Sequence, residues 1–202
     1  RRTAALALPL AMSLLATGVA HAAYAGSVTE VGTVTVGNNP AGVAVSPDGS
    51  RVYVANTGAT KTVSVISTST NTVIGTVTLA SSNPFGLAVS PDGTRLYASE
   101  TNINKVSEID TTSLTELRTF TVGNAPRAMA VSPDGTRVYV VVQSTNSVRV
   151  INTVANTVGA PITVGTDPIG MALTPDGSNL FVANNTSDDV SVIATEIGRA
   201  HV

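Results

Sequence analysis

"SPDGSRVYVAN", residues 46–56, returns as "SPDGTRLYASE" at 90–100, "SPDGTRVYVVV" at 132–142 and "TPDGSNLFVAN" at 174–184. The four Pro-Asp-Gly turns begin at Pro47, Pro91, Pro133 and Pro175, in steps of 44, 42 and 42 residues. A repeat of roughly 40 to 45 residues built from short strands is the period of propeller blades. The composition agrees, being rich in Val, Thr, Ser, Asn, Gly and Ala, and nothing after residue 22 repeats apolar residues at helical spacing. The first repeat reads as four strands, "AGVAVSP" (41–47), "RVYVAN" (51–56), "TVSVIST" (62–68) and "NTVIGTVTL" (71–79), which make one antiparallel blade. Val52-Tyr53-Val54-Ala55 and the run Val138 to Val142 are apolar at successive positions, so both faces of these strands are buried, as when blades stack radially.

The motif itself reads as architecture. Pro presets φ at the first corner, Asp bonds back to nearby amides, and Gly accepts positive φ at the exit, which gives a tight link between first and second strands. Asp48, Asp92, Asp134 and Asp176 supply one carboxylate per blade, each on its own turn, so they do not converge on a metal ion. The aromatic four residues after each Gly, at Tyr53, Tyr97, Tyr139 and Phe181, reads as a filler between blades.

Both ends of the chain stand outside this pattern. Residues 1–22, "RRTAALALPLAMSLLATGVAHA", have a basic pair, an apolar run and an Ala-His-Ala close, the layout of a secretory signal peptide with no membrane span left after its removal. Residues 196–202, "EIGRAHV", break the repeat and fit GAG ATC GGA AGA GCA CAC GTC, the in-frame translation of a sequencing adapter, so they are expected to be non-native. Residues 23–195 form the propeller repeats, with blades over 38–79, 80–122, 123–164 and 165–195. The fourth blade shows only three strands, while "SVTEVGTVTV" offers an extra N-terminal strand over 27–37 of the kind that closes a propeller ring. The expected fold class is therefore all-β, a β-propeller with four antiparallel blades visible, part of a larger ring of about seven blades.

Chemistry narrows sharply once the ends are set aside. The chain has no Cys, and its two His, at 21 and 201, both fall in those ends. A Ser-His-Asp triad, a His-ligated haem and a His or Cys zinc site cannot be built from 23–195. The same span holds 8 Lys and Arg against 12 Asp and Glu, a net charge of −4, which disfavours a nucleic-acid surface. No cofactor, metal site or catalytic set is expected from it.

"YVAN" at 53–56 and "FVAN" at 181–184, each following "SPDG" or "TPDG", resemble the YVTN family of β-propeller repeats over residues 28–195. The resemblance implies a secreted, periplasmic or cell-surface propeller, often of seven blades. Repeats two and three depart from it at "YASE" (97–100) and "YVVV" (139–142), so the motif Asn is replaced there.

Loops from the fourth strand of one blade to the first of the next converge on one mouth of the channel. They read "VGNNPAG" (36–42), "LASSNPFG" (79–86), "VGNAPRA" (122–128) and "VGTDPIG" (164–170). Residues beside each Pro vary on this repeated frame, and variation on a frame is where individual function sits. Asn39, Asn83, Arg127 and Asp167 are the candidate ligand-binding residues, with Arg127 and Asp167 expected to face the channel and pair or hold a polar ligand. Lys61, Glu100, Asn104, Gln143 and Asp188 stand on the companion loops. The function expected is a non-catalytic binding or scaffold module whose partner is a protein or glycan. The alternative is a lactonase or quinoprotein-associated enzyme whose catalytic residues lie in further blades. Sequencing the source locus checks the tail: it should diverge from "IGRAHV" after residue 196, and a native stop codon following Val202 would contradict the expectation.

Overall fold

Each "SPDG" turn is closed by its own side chains. Ser46 Oγ donates to Asp48 Oδ1 at 2.6 Å and accepts from the Arg51 amide at 2.9 Å, while the Ser50 amide donates to Asp48 Oδ1 at 3.0 Å. The same three bonds recur around Asp92, Asp134 and Asp176. Gly49, Gly93, Gly135 and Gly177 sit at φ of +69, +73, +72 and +73°, the left-handed exit that a side chain resists. These bonds favour the ionised carboxyl, and Asp48 and Asp176 are drawn down to about 2, chiefly by the hydroxyls of Ser46 and Thr174.

This is a computed structural model describing residues 29–79 and 83–195. Residues 1–22, read as a signal peptide, and residues 196–202, read as a non-native tail, lie outside the described residues. Every strand among the described residues lies within Thr33–Val202.

The first blade is β1 (Pro40–Val45), β2 (Arg51–Asn56), β3 (Thr62–Ser67) and β4 (Thr72–Thr78), paired in that order. The second repeats it with β5 (Pro84–Val89), β6 (Arg95–Glu100), β7 (Lys105–Asp110) and β8 (Thr115–Thr121). The third has β9 (Pro126–Val131), β10 (Arg137–Val142) and β11 (Ser147–Asn152), with its outer strand broken into β12 (Thr157–Val158) and β13 (Ile162–Thr163). Pro161 lies in that break and has no N–H to give to the ladder. The fourth is β14 (Pro168–Leu173), β15 (Asn179–Asn184) and β16 (Asp189–Ala194). All pairings are antiparallel, so the fold is the all-β, bladed architecture that the repeat period implies.

Burial runs from blade to blade. Tyr53, Val63 and Val65 of the first blade pack with Leu96, Ala98 and Ile109 of the second. Tyr97 and Val106 of the second pack with Val138, Val140 and Ile151 of the third, and Tyr139, Val141 and Val148 of the third with Leu180 and Val182 of the fourth. Tyr53, Tyr97 and Tyr139 are only 1, 2 and 2% exposed, whereas Phe181 at the equivalent place is 41% exposed. Val190 and Val192 beside it are exposed too, although their counterparts Val63 and Val65 are fully buried. On the first blade Val43 and Val45 are likewise uncovered.

One expected element differs. The strand read over 27–37 is not formed among its described residues, 29–37, and β16 has no outer partner among the described residues. The packing sets up a stability contrast: Tyr97→Ala should cost about 3 kcal/mol or more, as for a large buried ring, while Phe181→Ala should cost about 1 kcal/mol or less. Equilibrium urea unfolding of the two variants checks it.

Candidate functional site: the channel mouth

The mouth is set by backbone before side chains. Asn39, Ala125 and Asp167, each directly before a Pro, lie at φ of +53, +56 and +57°. Their carbonyls accept the amides of Thr57, Gln143 and Asn185, the residues that leave the second strands, at 3.0, 3.1 and 3.0 Å. Asn and Asp tolerate this left-handed conformation, so Asn39 and Asp167 satisfy a backbone demand as well as any other role. Asn83 stands in a loop one residue longer than the other three.

After each Pro the pairing of first and second strands slips, between Pro40 and Val43, Pro84 and Leu87, and Pro168 and Gly170, and opposite Val140 to Val142 in the third blade. Such bulges re-aim the side chains next to them. Gly42 and Gly86 fall in these slips, and a Cβ on either would drive into the carbonyl of Phe85 or Arg127 on the next blade. The close approach of neighbouring first strands therefore requires glycine there. Between them lies an apolar cleft of about 340 Å³, lined among others by Val43, Phe85, Leu87, Met129 and Ile169.

At its rim, side chains from three blades join. The Arg127 guanidinium carbon stands 4.6 Å from the centre of the Phe85 ring, a cation–π contact between the second and third blades. Arg127 Nε donates to Gln143 Oε1 at 2.7 Å, and Gln143 Nε2 donates in turn to Asp167 Oδ1. Asn185 Nδ2 donates to Asp167 Oδ2 at 2.8 Å, and the Asp167 amide donates to Asn146 Oδ1 at 3.0 Å. The Asn185 and Gln143 bonds, with Arg127 nearby, hold the Asp167 carboxyl below the usual range. Arg127 and Asp167 are thus joined through Gln143, not by direct contact. Asn39, exposed, and Asn83, half-buried, stand outside this network. Phe85, after Pro84, is one of the residues that vary on the repeated frame, whereas Asn185 is the member that the sequence does not single out, since an Asn after a strand carries no signal of its own.

Two larger hollows lie on the opposite, "SPDG" side: about 650 Å³ between the second and third blades and about 600 Å³ between the first and second. Volume alone favours them, but their walls are largely the repeated turn residues already engaged in their own bonds. The exception is an ion cluster in the second blade: Arg95 Nε and Arg118 Nε flank Glu108 at 3.2 and 3.3 Å, and Arg95 Nη1 reaches Asp110 at 2.8 Å. Arg51 and Arg137 instead cross to the next blade, donating to the carbonyls of Thr111 and Thr195 at 2.6 and 2.8 Å. Arg95 turns inward because only its blade has carboxylates at 108 and 110, where the first blade has Val65 and Ser67.

The structure also shows what the motif Asn does. Asn56, fully buried, donates through Nδ2 to Thr62 Oγ1 and Ser64 Oγ at 3.1 and 2.9 Å, and Asn184 donates to Ser191 Oγ at 2.9 Å. The motif Asn thus staples second strand to third. In the third blade Val142 replaces it without a polar group, and in the second Glu100 does so with a buried carboxyl.

The chain belongs to the choice-of-anchor I domain family, whose model matches residues 19–160. Among solved structures it is similar to hydrazine synthase of Kuenenia stuttgartiensis, at 27% identity and TM-score 0.73, over 84% of this chain and 49% of that one. It is also similar to a 6-phosphogluconolactonase-like protein of Bacteroides uniformis (20% identity, TM-score 0.67, 77% of this chain and 50% of that one). A third is U3-55K (19%, 0.63, 77 and 51%). The last two likenesses show the fold alone. The chain spans about half the length of each of these structures. No curated protein matches it at a comparable level. No helix among the described residues is long and apolar enough to cross a membrane.

Glu100 yields a pH prediction. Ser107 Oγ lies against both Glu100 Oε1 and Glu116 Oε1, and a hydroxyl has one proton, so it cannot donate to both. Glu100 is 1% exposed, and burial raises its carboxyl above the usual value. Ionising it therefore costs stability as pH rises above its unfolded value of 4.5. Glu100→Gln should melt higher than wild type at about pH 7, with the gain vanishing at about pH 4 or below. Paired thermal melts at the two pH values check it.

Proposed function

We propose that the chain is a four-blade part of a non-catalytic, secreted or cell-surface propeller that binds a protein or glycan at its channel mouth. The carrying observation is the rim network: Phe85, Arg127, Gln143, Asp167 and Asn185 come from three blades and vary on a frame that is otherwise repeated. Residues that serve only the fold recur in every blade, as the "SPDG" set does, whereas these occur once. The choice-of-anchor family and the "YVAN" and "FVAN" segments, with their YVTN resemblance, support the surface reading. Completion of the ring belongs to the same reading. Phe181, Val190 and Val192 at one end and Val43 and Val45 at the other present the faces that inner blades bury. The propellers it resembles are about twice its matched length.

The test uses the chain in full, immobilised and exposed to cell-surface extracts and to a glycan array. Phe85→Ser with Ile169→Ser should abolish retention of whatever wild type retains, with the melting temperature of the wild type. Asp92→Asn on the opposite side should retain it. A mouth variant that holds the same partner as wild type overturns the reading.

A further inference from the structure

The rim network leaves one group unspent. Arg127 uses Nε on Gln143 and its ring-facing surface on Phe85, but neither Nη atom has a hydrogen-bond partner among the described residues, and no carboxylate there forms an ion pair with it. A guanidinium normally satisfies its paired N–H groups bidentately on a carboxylate or phosphate, and here the plane is already fixed by stacking and by one bond. Holding a side chain in its bound geometry removes most of the ordering cost of binding. The Arg is half-buried, which strengthens a charge pair relative to open solvent.

The Phe85 ring that carries Arg127 is also a wall of the apolar cleft with Leu87, Met129, Val43 and Ile169, and Phe85 and Ile169 are 37 and 46% exposed. A fixed cationic fork therefore stands beside a place for an apolar group. Asp167 would repel an anion, but its two oxygens are turned to Gln143 and Asn185.

From this juxtaposition we propose that the mouth is a receptor for a carboxylate carried on an apolar body, the carboxylate held by the Nη pair of Arg127 and the apolar part seated against Phe85 and Ile169. This rests on the mouth being the binding surface and adds the chemical class of what it takes. A phosphate ester fits less well, because the side chains that line the cleft are all apolar and one guanidinium leaves a second negative charge uncompensated. The carboxylate can come from a free organic acid or from the C-terminus of a peptide ending in an apolar residue.

The experiment is titration of the full chain, monitored by NMR or calorimetry, with 4-phenylbutyrate against 4-phenylbutyramide, and with acetyl-Val-Leu-Phe as the free acid against its C-terminal amide. In at least one pair the acid should bind about tenfold more tightly than the amide, and the pair that shows it identifies the source. Arg127→Gln should erase that preference while melting as wild type does, and Arg127→Lys should recover only part of it, since an ammonium lacks the fork. Equal binding of acid and amide in both pairs, or a preference that survives in Arg127→Gln, overturns the proposal. Loss of the acid preference alone leaves retention by the Phe85 and Ile169 face intact, so failure here is distinct from failure of the mouth as a binding surface.

Discussion

A blade of this protein is stable only against another blade. Its second strand is apolar on both faces, so the ring at the fourth position after each turn Gly must be covered by the neighbouring sheet. Where it is, at Tyr53, Tyr97 and Tyr139, almost no surface remains exposed, and where no sheet covers it, Phe181 stays 41% exposed with Val190 and Val192 beside it. Burial of this kind scales with area removed from water, at about 25 cal/mol per Å² of apolar surface, and each inner interface gathers a ring and several Val or Ile side chains. Stability in such a repeat is a sum of neighbour contacts, with the terminal faces as its weak points.

The same stacking dictates the mouth. First strands of adjacent blades approach so closely that Gly42 and Gly86 face the carbonyls of Phe85 and Arg127. Left-handed residues before Pro40, Pro126 and Pro168 then turn the chain between blades, and the bulge after each Pro redirects the adjoining side chains. With backbone geometry absorbed by Gly, Pro and left-handed Asn or Asp, the side chains after Pro are free of structural duty. Phe85, Arg127 and Ile169 are the result, and their variety on an invariant frame is what makes the mouth the working surface in our reading.

The second blade carries the strongest departures from the repeat. Glu100 replaces the stapling Asn with a buried carboxyl, and Glu108 with Arg95 and Arg118 replaces apolar packing with ion pairs. Glu108 is itself only 6% exposed, and burying it is tolerable because two guanidiniums compensate it. Arg95, drawn inward by these acids, gives up the reach to the next blade that Arg51 and Arg137 keep.

Local chemistry in the sequence determined the turns, the strands and the blade period. Ser, Pro, Asp and Gly within one tetrapeptide close the turn by themselves, and doubly apolar strands such as Val138 to Val142 announce burial on both faces, so both were legible from residues a few positions apart. Alternation in "TVTV" was legible too, but not which sheet edge it joins: the segment forms no strand over its described residues, and β16 has no outer partner among the described residues. Of the candidate site, Arg127 and Asp167 stood out as opposite charges on equivalent loops. Only the tertiary structure decided that Gln143 stands between them, that Phe85 of a neighbouring blade lies beneath the guanidinium, and that Asn39 and Asn83 remain apart. The reason is distance along the chain: Phe85, Arg127, Gln143, Asp167 and Asn185 span a hundred residues, and no local pattern encodes which side chains meet once three blades are stacked.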